Sequence, residues 1–317
     1  MRKLTKIVIV MTATVLFAVA GVGSYYVMDM FNDKLNQIIS FQKKSVTKNQ
    51  TELLSAINSQ MEYHDFDYSW IGQVPSLVAH ALGGIDGQNY TNSLEAFEYN
   101  YQQGYRVFEV DLELTAESLL VATHDQDVWR YQTDMSEDTA FTNDVFVNTK
   151  VLDKYTPLCI QDIIELMAAY PDVYIITDTK YSDKINVLLQ FSQIVKYAQE
   201  NHPETLNRII PQIYNENMLP YLMEIYPFQS IIYTTYATKA TPEEIRSFCE
   251  KTGIGFVVMP KENVTQESVK LMKESGIFIG VHTLNDPEKA KLLLNKGVDM
   301  IYTDFLQPSD FISTASN

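Results

Sequence analysis

Eight short runs rich in β-branched and aromatic residues, alternating with helical stretches, constrain this chain more than any other feature. The runs are 77–81, 106–114, 173–180, 209–214, 230–236, 255–260, 277–283 and 300–305. Helical stretches between them include 93–103, 160–169, 184–200, 242–251, 266–274 and 287–295. A helix between two strands lets the second run parallel to the first. Eight such repeats within residues 74–317 therefore predict an α/β fold, a closed (β/α)8 TIM barrel. An open doubly wound sheet is the alternative, but no Gly-x-Gly-x-x-Gly follows the first strand.

The second run, read RVFEVDLEL, carries the chemistry. Side chains alternate faces along a strand, so Val107, Glu109, Asp111 and Glu113 share one face, and Phe108, Val110, Leu112 and Leu114 the other. In a barrel the apolar set packs on the helices and the polar set points inward. Glu109 and Asp111 then repel each other in a poorly solvated place, which is costly unless a cation lies between them. Oxygen ligands suit one divalent cation, Mg²⁺ or Ca²⁺, better than zinc. His80 ends the first run, and His124 follows a second apolar run that can fold back beside the carboxylates. Two histidines around such a pair suit acid–base chemistry on an anionic, phosphate-bearing substrate.

A barrel places its active site at the C-terminal ends of its strands. Asp178 and Lys180, Gln212 and Tyr214, His282, and Asp304 end the third, fourth, seventh and eighth runs. They belong to the same rim as His80, Glu109 and Asp111.

The ordered set AHALGG (79–84), NSLEAF (92–97), GYRVFEVD (104–111) and His124-Asp125 resembles the glycerophosphodiester phosphodiesterase family, over residues 77–304. The resemblance implies a phosphodiesterase with His80 and His124 as the acid–base pair and Asp178 as third metal ligand beside Glu109 and Asp111. Lys180 would neutralise phosphate charge as a point cation. Asn92 would orient its loop or cap the following helix, and Gln212, Tyr214 and His282 would face the substrate. Three positions depart from the family pattern. Ala81 stands where the family has an Arg that grips phosphate, Thr91 replaces an acidic residue, and His282 replaces a Trp. Lys180, Arg130 and His282 are the candidates to replace the Arg. Asp178 in place of the usual Glu is similar to the sphingomyelinase D-like branch. A phospholipase D-like lyase on choline lipids, or an inactive barrel used as a binding ectodomain, are the other readings.

The N-terminus sets the expected location. Arg2, Lys3 and Lys6 precede 21 uncharged residues, 7–27, long enough to span a bilayer with the basic flank inside. Residues 1–28 read as a transmembrane signal-anchor, 29–73 as a helical stem, and 74–317 as an extracytoplasmic catalytic barrel. Cleavage after a signal peptide, at the small-x-small site Ala18-Val-Ala20, is the alternative. The net charge of −16 excludes nucleic-acid binding through a basic face. Cys159 and Cys249 are too few for a disulfide framework and read as free.

Overall fold

The computed structural model describes residues 65–124 and 141–311, all inside one compact unit, Met61–Asn317. The predicted membrane span 7–27, most of the stem, Asp125 and Arg130 lie outside the described residues. Among the described residues, no helix is long and apolar enough to cross a membrane.

The strands are β1 (Leu77–Ala79), β2 (Val107–Leu114), β3 (Leu120–Ala122), β4 (Tyr174–Asp178), β5 (Ile209–Ile213), β6 (Ile232–Thr234), β7 (Phe256–Pro260), β8 (Phe278–His282) and β9 (Met300–Thr303). All but β3 pair in parallel, in the circular order β1-β2-β4-β5-β6-β7-β8-β9. Closure runs through Ala79 against Phe108 on one side of β1 and Val78 against Tyr302 on the other. The eight predicted runs are the eight barrel strands. β3 returns antiparallel along the end of β2, pairing Leu112 with Ala122, so the chain does fold back toward the carboxylates.

Around the barrel lie α1 (Leu94–Gln102), α2 (Asn143–Asn148), α3 (Ile160–Ala169), α4 (Lys184–Asn201), α5 (Met218–Ile225), α6 (Pro242–Thr252), α7 (Gln266–Glu274) and α8 (Pro287–Asn295). α5 carries Pro220 in its first turn, where its missing N–H costs nothing. α6 shows the local logic plainly. Thr241 and Glu244 form a reciprocal capping box, Pro242 pre-sets the first turn, and Gly253 ends the helix in the left-handed conformation.

Two apolar layers follow from strand alternation. Phe108, Val110 and Leu112 join the core between strands and helices. Val107 faces the other way, into the barrel, with Val78, Ile176, Ile210, Ile232, Val258 and Met300. Tyr68 and Trp70 belong to this inner cluster. Trp70 stacks on Tyr174 at 5.3 Å between centroids and donates from Nε1 to Ser230 Oγ at 3.1 Å. The Tyr68 hydroxyl donates to the Ile231 carbonyl at 2.6 Å. A Cβ on Gly255 would lie 2.8 Å from the Tyr68 ring, which explains glycine there. The barrel's packing therefore begins before residue 74, the boundary drawn from the sequence. Neither aromatic belongs to a strand or helix periodicity in the sequence.

Candidate active site

Glu109, Asp111 and Asp178 offer one oxygen each within 4.8 Å of one another, all three buried. The parallel register sets Asp111 directly against Asp178, so β2 and β4 deliver the carboxylates from neighbouring strands. Lys180 lies between them, its ammonium 2.7 Å from Asp111 Oδ1 and 2.5 Å from Asp178 Oδ2. Burial pushes the Glu109 carboxyl up, reinforced by the charge of Asp111, to about 8. Asp111 goes the other way: burial opposes its charge, but Lys180 and the nearby histidines outweigh it and hold it below the carboxylate range.

Asn92 braces Asp111 on two sides. Its amide donates to Asp111 Oδ2 at 3.0 Å, and its oxygen accepts the Asp111 N–H at 3.2 Å. The α1 cap is the neighbouring Ser93, whose hydroxyl accepts from the Ala96 N–H, so the expected capping role of Asn92 passes to Ser93. Tyr214 is buried behind Asp178 rather than lining the cavity. Its hydroxyl donates to Asp178 Oδ1 and accepts the Lys180 N–H at 3.0 Å.

His80 leaves β1 into a single turn, His80–Leu82. Its Nδ1 lies 2.9 Å from Asp304 Oδ1, and its Nε2 4.0 Å from Glu109 Oε2. Burial works against the imidazolium, but the Asp304 hydrogen bond and the charges of Glu109 and Asp111 raise His80 to about 9. Asp304 is held in turn by the Asn285 amide at 2.7 Å. The turn itself is fixed by Asn100, which donates to the carbonyls of Leu82 and Gly84. Ala81, where the family has Arg, adopts the left-handed region with φ of 52°. Its N–H donates to Glu109 Oε2 at 2.8 Å, and its methyl group is fully buried.

His124 follows β3, whose turn is tied to β2 by the Thr123 N–H donating to the Asp111 carbonyl at 3.1 Å. Tyr90 lies between the histidines, its ring centroid 4.8 Å from His80 and 4.5 Å from His124.

The cavity at this rim is lined by His80, Glu109, Asp178, Gln212, Thr234, Tyr236, Val258, His282 and Tyr302. His282 Nε2 and the Tyr302 hydroxyl are buried there without hydrogen-bond partners. Burial pushes His282 down to about 4, so it is neutral at physiological pH. It lines the cavity as an uncharged ring.

The carboxylates fit a divalent cation on two counts. Glu109 Oε1 is buried with no hydrogen-bond partner, a costly orphan that a hard cation would satisfy. Among the described residues, the ion pairs made to the four carboxylates Glu109, Asp111, Asp178 and Asp304 come from Lys180 and His80, so negative charge outnumbers its paired positive charge. Sequence reasoning missed Tyr90, Asn100 and the bracing role of Asn285. None has a chemistry-bearing spacing in the chain, although Asn285 lies three residues beyond His282.

A family model described as the glycerophosphoryl diester phosphodiesterase family matches residues 84–307. An uncharacterized protein, YqiK, of Bacillus subtilis (strain 168) is 26% identical over 234 residues, 70% of this chain and 92% of that protein. A phosphodiesterase of Oleispira antarctica, solved with the product sn-glycerol-3-phosphate, is 18% identical with a TM-score of 0.62, covering 76% of this chain and 97% of that one. A glycerophosphodiester phosphodiesterase of Thermotoga maritima is 20% identical with a TM-score of 0.54, over 72% of this chain and 94% of that one. At these identities the solved structures establish the shared barrel.

Proposed function

The chain belongs to the glycerophosphoryl diester phosphodiesterase family and is a phosphoric diester hydrolase, and from that premise we propose that it cleaves glycerophosphodiester-type or cell-surface phosphodiester substrates with a divalent cation and a histidine pair. The observation that carries this reading is the buried Glu109–Asp111–Asp178 cluster, with its orphaned Glu109 oxygen, directly beside His80.

Glu109, Asp111 and Asp178 would hold the cation. When bound, Mg²⁺ or Ca²⁺ supplies Lewis-acid polarisation of the phosphoryl oxygens. His80 enters the reaction charged, with Asp304 fixing Nδ1, so Nε2 carries the proton that goes to the departing alkoxide oxygen. His124 takes a proton from the water whose oxygen bonds to phosphorus as the bond from phosphorus to the departing alcohol breaks. Lys180 offsets the negative charge gathering on the phosphoryl group, and with His80 takes over the electrostatic part of the absent Arg. Gln212 and His282, both neutral, face the alcohol portion of the substrate. The product held by the Oleispira relative, sn-glycerol-3-phosphate, supports a glycerol-based diester. The uncharged run 7–27 is the support for a membrane-anchored enzyme acting outside the cytoplasm.

The test is turnover by the full chain on glycerophosphocholine, glycerophosphoglycerol, a lysolipid and a poly(glycerol phosphate). It is run with EDTA or with Mg²⁺ or Ca²⁺ restored, beside Glu109→Gln and His80→Ala. Cation-dependent hydrolysis that falls by about 100-fold or more in both variants is expected. A folded, metal-loaded wild type that turns over none of these diesters would overturn the reading in favour of a binding barrel.

A further inference from the structure

Tyr90 stands in the left-handed region, with φ of 55°. A bulky non-glycine residue is rare there, and such strain persists only where its surroundings impose it. Here they do. Upstream, the Ile85 and Gln88 backbones bond each other at 2.9 and 2.8 Å, and Asp86 accepts from Lys154 and from the Tyr155 hydroxyl. Downstream, Asn92 is locked to Asp111, and the Leu94 N–H donates to the Thr156 carbonyl at 3.1 Å. Residues 154–156 thus clamp the loop from outside at both ends. The strained residue puts one aromatic ring against two imidazoles at once, edge-on to His80 and tilted to His124.

We infer that Tyr90 is a positioning residue, a wedge whose ring holds His80 and His124 apart so that each meets the substrate from its own side. The inference rests on the acid–base roles proposed above for these histidines. Without the wedge, both imidazoles lose the ring against which they pack, and the His80–Asp304 bond remains. The wedge is the packing of the ring against the two imidazoles, and a phenyl ring reproduces that packing.

The strain makes the test selective. Tyr90→Gly removes the ring and also relieves the left-handed backbone, so folding is not at stake. In the full chain with its cation, Tyr90→Gly is expected to lower kcat by about 10- to 100-fold while KM stays within about threefold. Because backbone relief offsets part of the lost packing, its melting temperature should fall by no more than about 5 °C. Tyr90→Phe should restore kcat to within about threefold of wild type. The idea is sunk by a wild-type kcat in Tyr90→Gly, by a loss confined to KM, or by Tyr90→Phe falling as far as Tyr90→Gly. A second readout needs no turnover. With ¹³C-labelled histidine, the ring-current shifts of His80 and His124 should move in Tyr90→Gly and persist in Tyr90→Phe. Unchanged shifts in Tyr90→Gly overturn the wedge, whereas wild type without turnover but with these shifts overturns only the enzymatic reading.

Discussion

His80 Nδ1 and Asp304 Oδ1 lie 2.9 Å apart, joining the C-terminal end of the first barrel strand to that of the last. The contact closes the ring of strands chemically as well as structurally. Asp304 fixes which imidazole nitrogen is committed and favours the charged ring, leaving Nε2 as the atom toward Glu109 and the cavity. The carboxylate is itself held by Asn285, which also accepts from the Thr303 hydroxyl and the Asp304 N–H at 2.7 and 2.8 Å.

Replacing that carboxylate tests its role. Asp304→Asn keeps the shape but removes the charge and permits the wrong tautomer, so kcat should fall by about 100- to 10,000-fold. Steady-state kinetics on the best glycerophosphodiester checks it. An Asp304→Asn enzyme within about twofold of wild type would remove Asp304 from the proposed machinery.

The same pair predicts how stability depends on pH in the cation-free protein. The fold raises His80 from its ordinary 6.5 to about 9. The stabilisation is therefore complete below pH 6.5 and is lost as pH rises through 9. It is worth about 3 kcal/mol at most. Glu109, raised from 4.5 to about 8, acts in the same direction over a lower window. Urea unfolding in EDTA should give a smaller unfolding free energy at about pH 10 than at about pH 6, and His80→Gln should flatten the upper part of the slope. Stability rising over that interval would contradict this electrostatic account.

The floor of the barrel makes a third prediction. Trp70 and Tyr68 fill its interior from below, so Trp70→Ala should cost about 3–5 kcal/mol and lower the melting point by roughly 5–15 °C. A chain cut to begin at residue 74 loses both aromatics and should melt far below one beginning at residue 61. Calorimetry on the two truncations decides it. Equal melting points would return residues 66–73 to the stem.

The chain's one-dimensional pattern determined the barrel and the face of each barrel strand. Period-two alternation puts Glu109 and Asp111 inward wherever the strand lies, and eight strand–helix repeats leave few other ways to bury their apolar sides. The membrane-spanning expectation for 7–27 likewise rests on sequence alone. Tertiary structure decided what depends on contacts between distant positions. Asp304 meets His80 across 224 residues of chain, and Trp70 meets Ser230 across 160. Whether His282 is charged depends on how deeply the closed barrel buries it, which no neighbouring residue encodes. Whether Tyr90 separates two histidines depends on a loop held in the left-handed region by a clamp at 154–156. Local periodicity reports how each residue faces its own strand or helix; partners and solvation belong to the assembled barrel.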